Sequence, residues 1–517
     1  MRGGREMDNH FEVMWDVYRD VPSIEDPNVS MLDHYYWLNK EDPNYSKCRA
    51  TKARGHNAHT DNKFNLSDKG CMEILKLYLA SEDELANKKI TDYFDDEVLN
   101  SNFWLYWRTM FAFENWDSAL EMHRYIHRFI HHIGGLPDFS ALRFTRYNQY
   151  ESMILPLMNY LKAHDVQFHM GTAVDPSFGH PEKFIYDPNL TKWMSATATT
   201  LDDTIPAYIE KITGRSPFGG HTVTGGIVTV EDSNWLMSWT VNRQQQFRNQ
   251  PKDMISAWIY GLFPDKPGNY IRKPMQDCTG MEICEEWLYH MGVPEEQIEE
   301  LAKNHCNTVP VMMPYVDAFF MPRELGDRPD VVPDGAVNFA FIGQFAEEPR
   351  DTIFTTEYSM RTGMEAVYTL CDVDRGVPEV WNSEYDVRDM LNAAVKLRDG
   401  QPLTTFGRNN VERKAIAFAL GRTRGTYIYD MLKVYGAIAD PKHPVDMKPG
   451  MRFDESFNEA DEQRLMQHAK EAEAEAFATP CSADAPVAAD TVDTVDTVAP
   501  AAAPDGALEP GENDSAK

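Results

Sequence analysis

Hydrophobic and polar positions along the chain alternate in some stretches and run unbroken in others, and the two patterns predict different elements. Val166-Gln-Phe-His-Met170 alternates and predicts a strand. Thr222 to Val230 and Trp235 to Val241 predict two more strands, placed around the turn Glu231-Asp-Ser-Asn234. Another strand is predicted through Met254 to Leu262, and a last one through Val337-Asn-Phe-Ala-Phe-Ile342. Asn102 to Phe113 is a dense aromatic run, read as a buried helical region that leads into a helix from about Ser118 to His132. After Gly343-Gln344 and a short loop, a helix is predicted from about Thr355 to Leu370. Glu459 to Phe477 reads as a charged surface helix. Thr479 to Lys517, rich in Ala, Pro, Asp, Thr and Val and without aromatics, reads as a disordered acidic tail. The fold class expected is mixed α/β.

Composition narrows the function classes. The 517 residues are enough for several folding units, and 42% hydrophobic with 12% aromatic residues is a globular profile. A formal charge of -31 argues against nucleic acid as a partner, since phosphate binding needs clustered Lys and Arg. A local pocket for an anion remains open. No apolar run reaches the ~18 residues of a membrane span, and no secretory leader is visible. Cys48, Cys71, Cys278, Cys284, Cys306, Cys371 and Cys481 are scattered without a CxxC pair. They read as reduced thiols of a cytoplasmic protein and argue against zinc.

Two segments carry candidate chemistry. A buried strand ending at Gly343, followed by a helix opening at Thr355-Thr356, would present free backbone N–H groups at a strand end where α/β sheets bind ligands. An ordinary connection would have the same sequence. Arg2-Gly-Gly-Arg-Glu-Met7 is the second: two glycines permit close approach to a cofactor, although a simple turn with a surface acid is the plainer account. His123, His127 and His131 fall at i, i+4 and i+8 and could imitate a metal face. No acidic partner is spaced to complete one, so they read as structural, and no metal is expected.

Together these stretches resemble the oleate hydratase family, also called myosin-cross-reactive antigens. The resemblance is carried by Arg2-Gly-Gly-Arg-Glu-Met7, Tyr35-Tyr-Trp-Leu-Asn39, Asp42-Pro-Asn-Tyr45 and Phe103-Trp-Leu-Tyr-Trp-Arg108. It continues in the segments 129–139, Tyr147-Asn-Gln-Tyr-Glu151, 175–183, 232–239, 310–314 and 345–358. It implies a Rossmann-like FAD-binding flavoprotein fold, usually a homodimer, that adds water across the cis double bond of an unsaturated fatty acid. FAD serves there without net redox change.

By resemblance, Glu6 activates the water and Tyr125 protonates the alkene, while Gln149, Thr240 and Asn242 hold the fatty-acid carboxylate. The cofactor residues implied are Gly3, Gly4, Arg5, Glu6, Met7, Gly343, Gln344, Phe345, Thr355 and Thr356. The chemistry is coherent: hydration needs a proton donor at one carbon and an activated water at the next. Thr240 and Asn242 alternate, so a strand would point both to one face.

Two departures from the family pattern are expected to matter. Relatives carry a βαβ unit with a GxGxxG loop ahead of the RGGREM loop, and several strands between 166–172 and 175–183. Here Met1 immediately precedes the loop, and Gly171-Thr-Ala-Val174 runs straight into Asp175. The organisation expected is a partial FAD-binding and substrate-channel region (1–174), a β-rich substrate domain (175–335), a FAD-binding strand and helix (336–375), a helical region (376–478) and the tail (479–517). A fatty-acid-binding remnant unable to retain FAD is the alternative, with peripheral membrane contact open to either. A flavin oxidase or dehydrogenase related by fold is the third class.

Overall fold

A computed structural model describes residues 6–44, 46–60, 62–140, 142–171, 192–313, 316–381, 385–407 and 409–438. The predicted helix at 459–477 and the tail lie outside the described residues, which all belong to one unit, Met1–Glu473. One seven-stranded sheet organises it. Its strands are β1 (Ala50–Lys52), β2 (His56–Asn57), β3 (Trp193–Thr200), β4 (Val228–Val230), β5 (Met237–Thr240), β6 (Ser256–Gly261) and β7 (Cys306–Met313), in the order β2-β1-β4-β5-β6-β3-β7. Only β1 and β4 pair in parallel; the other neighbours are antiparallel. Mixed α/β describes the class.

The strands at 228–230, 237–240 and 256–261 fall inside the predicted ones. β6 is buried at every position, and its alternation separates two cores. Ala257 and Ile259 face a cluster with Trp235, Trp239 and Trp287, whereas Trp258 and Tyr260 face one with Trp193, Ile227 and Phe139. β7 forms one edge and contains Pro310, paired with Ala196 of β3. A proline cannot donate to the ladder, so its nitrogen takes the outward side of an edge strand. The opposite edge, β2, is two residues long.

The helices that build the site are α1 (Glu12–Tyr18), α2 (Asn102–Phe111), α3 (Ala119–Phe129), α4 (Leu155–Ala163), α5 (Gly280–His290) and α6 (Thr356–Leu370). Their starts follow local chemistry. Ser101, Ser118 and Thr355 are N-caps whose hydroxyls accept the N–H of Trp104, Glu121 and Tyr358. The aromatic run predicted to be buried is α2, with Phe103, Trp104, Tyr106 and Trp107 inaccessible to solvent. Each such ring contributes about 1.5–3 kcal/mol through burial. The helix predicted for 118–132 is α3 followed by a tighter 3-10 segment, Ile130–Gly135, which turns His131 and His132 toward Asp8.

Two predicted strands are corrected. At 166–170 the chain leaves α4 through Asp165 in the left-handed region (φ 62°), with Val166 N–H donating to Leu161 O and Asp165 N–H to Lys162 O. That is a Schellman ending, and the alternating residues beyond it stay outside the sheet, with Met170 exposed. At 337–342 the apolar run opens with a bend and pairs with no described strand; Val337 is 82% exposed. Its ties are a Phe341 N–H bond to Val331 O and the nearby bridge between Asp330 and Glu347. Apolar sequence favours a strand, but a strand exists only where a neighbour completes its ladder.

α6 is locked to α1 by one carboxylate. Glu357 is inaccessible to solvent, accepts the N–H groups of Val13 (3.1 Å) and Met14 (2.8 Å), and pairs with Arg361 at 3.0 Å. Removing one member of a buried pair strands the other. We therefore expect Glu357→Ala to lower stability in urea unfolding by about 3–5 kcal/mol. A loss below about 1 kcal/mol, the range of an exposed pair, would refute this account of the α1–α6 junction.

Candidate functional site

Between the helices and the Trp258/Tyr260 face of the sheet lies a cavity of about 570 Å³, within the range usual for small-molecule sites. Its wall is mostly apolar and aromatic, with Phe111, Phe129, Trp193, Trp258, Phe319 and Phe354 contributing rings. Glu6, Met7, Tyr125, Gln149, Gln344, Thr355 and Thr356, all singled out from the sequence, line it as well. The structure thus brings together residues separated by up to 350 positions.

Each polar group has a defined setting. Met7 forms an antiparallel bridge with Arg143, which carries Glu6 to the cavity edge. Tyr125 comes from α3, ringed by Phe111, Phe113, Phe129 and Phe320 at centroid distances of 5.0–5.8 Å. Its hydroxyl donates to Ile353 O at 2.5 Å. Burial first, then the Glu121 and Asp351 carboxylates, hold its pKa well above that of a free phenol. The group therefore keeps its proton at neutral pH. Gln344 is engaged by its own loop: its amide N–H donates to Thr355 O and Ser359 Oγ, and its carbonyl accepts from Phe354 N–H.

Other expected residues stand apart. Thr240 and Asn242 are joined, Thr240 Oγ1 donating to Asn242 Oδ1 at 3.3 Å, but neither lines the cavity. Gly343 and Phe345 are also outside its wall: the Gly343 N–H donates to Thr362 Oγ1, and Phe345 packs on Phe319. Gly3, Gly4 and Arg5 lie outside the described residues. Trp258 and Tyr260 are wall residues that the sequence reading did not single out, although their i, i+2 spacing inside a predicted strand was the signal that could have found them.

Asp8, His131 and His132 form a second polar cluster, and Asp8 and His132 reach the same cavity. Asp8 Oδ2 lies 3.3 Å from His131 Nε2 and 3.2 Å from His132 Nε2. The spacing would suit a cation, but the Arg128 guanidinium approaches the same oxygen at 3.7 Å and already supplies positive charge. The buried ion pair is Asp8 with Arg128, and both imidazoles lie against the same carboxylate. His131 thus sits with Asp8 and His132 rather than in a row with His123 and His127. Burial raises the Asp8 pKa, but the two imidazoles beside it outweigh burial and hold it well below the ordinary carboxylate range.

The lining offers the chemistry a flavin ring system would need: aromatic walls, with Thr355, Thr356, Ser359 and Gln344 at one side, beside the first turn of α6. For the dinucleotide half, no phosphate-cradling glycine loop between a strand and a helix is present among the described residues.

His131 generates a pH prediction. Burial, reinforced by His132, pushes its pKa down to about 3. Below about 6.5, the value for a free imidazole, the unfolded chain takes up a proton that the folded protein refuses. Stability from this group is therefore complete above that pH and is lost progressively as pH falls toward about 3. Urea midpoints measured across this window should depend less on pH in His131→Asn than in the parent; equal dependence would refute it.

The chain is similar to known proteins along most of its length. The profile of the MCRA family matches residues 1–176 and 172–368, two segments that meet where the sequence reading places an internal loss. An oleate hydratase of Streptococcus pyogenes serotype M49 is 42% identical over 512 residues, covering 84% of this chain and 86% of the relative. A linoleate hydratase of Lactiplantibacillus plantarum is 26% identical over 494 residues, covering 77% and 87%. With a profile matched across most of its length and a relative this similar, the chain belongs to the MCRA family.

Proposed function

We propose that this protein hydrates the cis double bond of an unsaturated fatty acid, converting oleate to 10-hydroxystearate, with FAD bound against the RGGREM loop and α6. The observation that carries the reading is that Glu6, Tyr125 and Gln149 line one apolar cavity. The names of the two similar proteins point to the same substrate class. The same reading takes the protein as a cytoplasmic homodimer on a Rossmann-like flavoprotein fold. No helix among the described residues is long and apolar enough to cross a membrane.

The roles follow from charge and proton inventory. The Tyr125 hydroxyl, neutral at working pH, gives its proton to one alkene carbon; to do so it exchanges its bond to Ile353 O for one directed into the cavity. Water attacks the neighbouring carbon while the Glu6 carboxylate takes a water proton, and that proton returns to the phenolate through solvent. Overall one water is added and no electrons are exchanged. A bound flavin supplies electrostatic stabilisation of the positive charge that develops on carbon. Gln149 lines the cavity, and its neutral amide suits the carboxylate end of the acyl chain, whereas Thr240 and Asn242 stand behind the wall. The phenyl and indole walls exclude water from the remainder.

The test is conversion of oleate by purified protein, followed by mass spectrometry, together with flavin absorbance. The expected result is 10-hydroxystearate from the parent, with Glu6→Gln and Tyr125→Phe each at least about 100-fold slower, the usual contribution of a positioned acid or base. Gln149→Ala should raise KM with a smaller effect on kcat. Fatty-acid binding that persists in Glu6→Gln without any turnover in the parent would select the binding-protein reading, which the unpaired 337–342 segment favours.

A further inference from the structure

Gln149, the proposed carboxylate ligand that reaches the cavity, carries no charge, so the charge that offsets a fatty-acid anion must come from elsewhere. Most buried arginines are already committed. Arg108 pairs with Glu114, Arg323 and Arg328 with Glu121, Arg398 with Asp68, and Arg361 with Glu357 and Asp351. Arg49 differs. It is 4% exposed, and its partners are all neutral. Nε donates to Leu136 O (3.3 Å), Nη1 to Ile227 O (3.1 Å) and Thr229 Oγ1 (3.0 Å), and Nη2 to Tyr106 O (3.1 Å) and Thr109 Oγ1 (3.2 Å).

Those five bonds match the five N–H groups of a guanidinium, so its donors are satisfied while its charge is not. The rings of Tyr106 and Phe139 cover it at 4.7 and 4.3 Å. Phe139 can lie there because Gly226 has no side chain; a Cβ would fall 2.6 Å from the ring. The arrangement is a built receptacle for a cation, assembled from α2, the residues that follow the 3-10 segment, and β4 with the residue before it.

Its place relative to the cavity gives it meaning. Thr109, Leu136 and Ile227, which receive three of the bonds, are themselves wall residues, so the guanidinium sits directly behind the wall. Tyr260, another wall residue, donates its hydroxyl to Thr109 O and lies within the field of both Arg49 and Glu6. Burial lowers the Arg49 pKa to about 10, which leaves it charged at neutral pH. Burying an unpaired charge is costly, and a cost borne beside a binding cavity is offset when a negative ligand enters.

We propose that Arg49 is a specificity-determining residue: an uncompensated buried guanidinium behind the wall that gives the cavity its preference for a ligand bearing a negative charge. This rests on the fatty-acid reading. The effect reaches the ligand through the wall without contact, and its size should be about tenfold in affinity. Coulomb's law returns that order for unit charges about 10 Å apart at an effective dielectric of about 20.

The experiment is fluorescence titration of the purified full chain with oleate and with oleyl alcohol, using the cavity tryptophans Trp193 and Trp258 as reporters. The parent should bind oleate about tenfold more tightly than the alcohol. Arg49→Met should lose that preference by weakening oleate alone, and Arg49→Lys, which keeps the charge, should retain it. A measurement on the parent needs no variant: the carboxyl of 13C-labelled oleate, followed by NMR, should titrate at lower pH when bound than in water. Equal affinities in the parent, an equal loss for both ligands in Arg49→Met, or a bound carboxyl that titrates at or above its value in water would overturn the proposal. A parent that binds neither ligand overturns the fatty-acid reading, and this one with it.

Discussion

A chain of buried charges holds the cavity open. It runs from Asp8 to Arg128 (3.7 Å), from Arg128 to Asp351 (3.2 Å), from Asp351 to Arg361 (3.5 Å) and from Arg361 to Glu357 (3.0 Å). The first three links join different pieces of chain, namely the segment after the RGGREM loop, α3, the loop before α6 and α6 itself; the fourth lies within α6 and hands on to the start of α1 through Glu357. Close packing alone would collapse a 570 Å³ void onto its aromatic walls. Alternating charges resist that collapse, since any shift that closes the void separates ions that have no water to replace their partners.

The same chain explains why the site residues hold their places. Tyr125 and Arg128 lie one turn apart on α3, and Ile353, which receives the Tyr125 hydroxyl, is two residues from Asp351. Tyr125 is therefore fixed at its backbone by an ion pair and at its tip by a carbonyl of the loop that the same ion pair anchors. Asp8, two residues from Glu6, ties the other side. The placing of such cavity side chains is set by charged groups of the surrounding chain.

How far the sequence discloses this depends on how local each cause is. The strands around Glu231–Asn234 and the helices begun by Ser101, Ser118 and Thr355 are legible because turn and cap chemistry lies within a few residues. The segments 166–170 and 337–342 mislead because a ladder partner is a property of the whole fold. Gln149 reaches the cavity, while Thr240 and Asn242, legible as a pair by alternation, stop short of its wall. Arg49, between Cys48 and Ala50, carries no local sign of burial; its receptacle comes from residues 57 to 180 positions away.

Pro310 has a consequence beyond its own strand. With a nitrogen that cannot donate in the middle of β7, and with only two residues in β2 at the other side, the sheet offers no continuous run of donors at either boundary. It is finite by construction. Among the described residues, a second copy would meet no unbroken ladder at either edge of this sheet onto which to add its own strands.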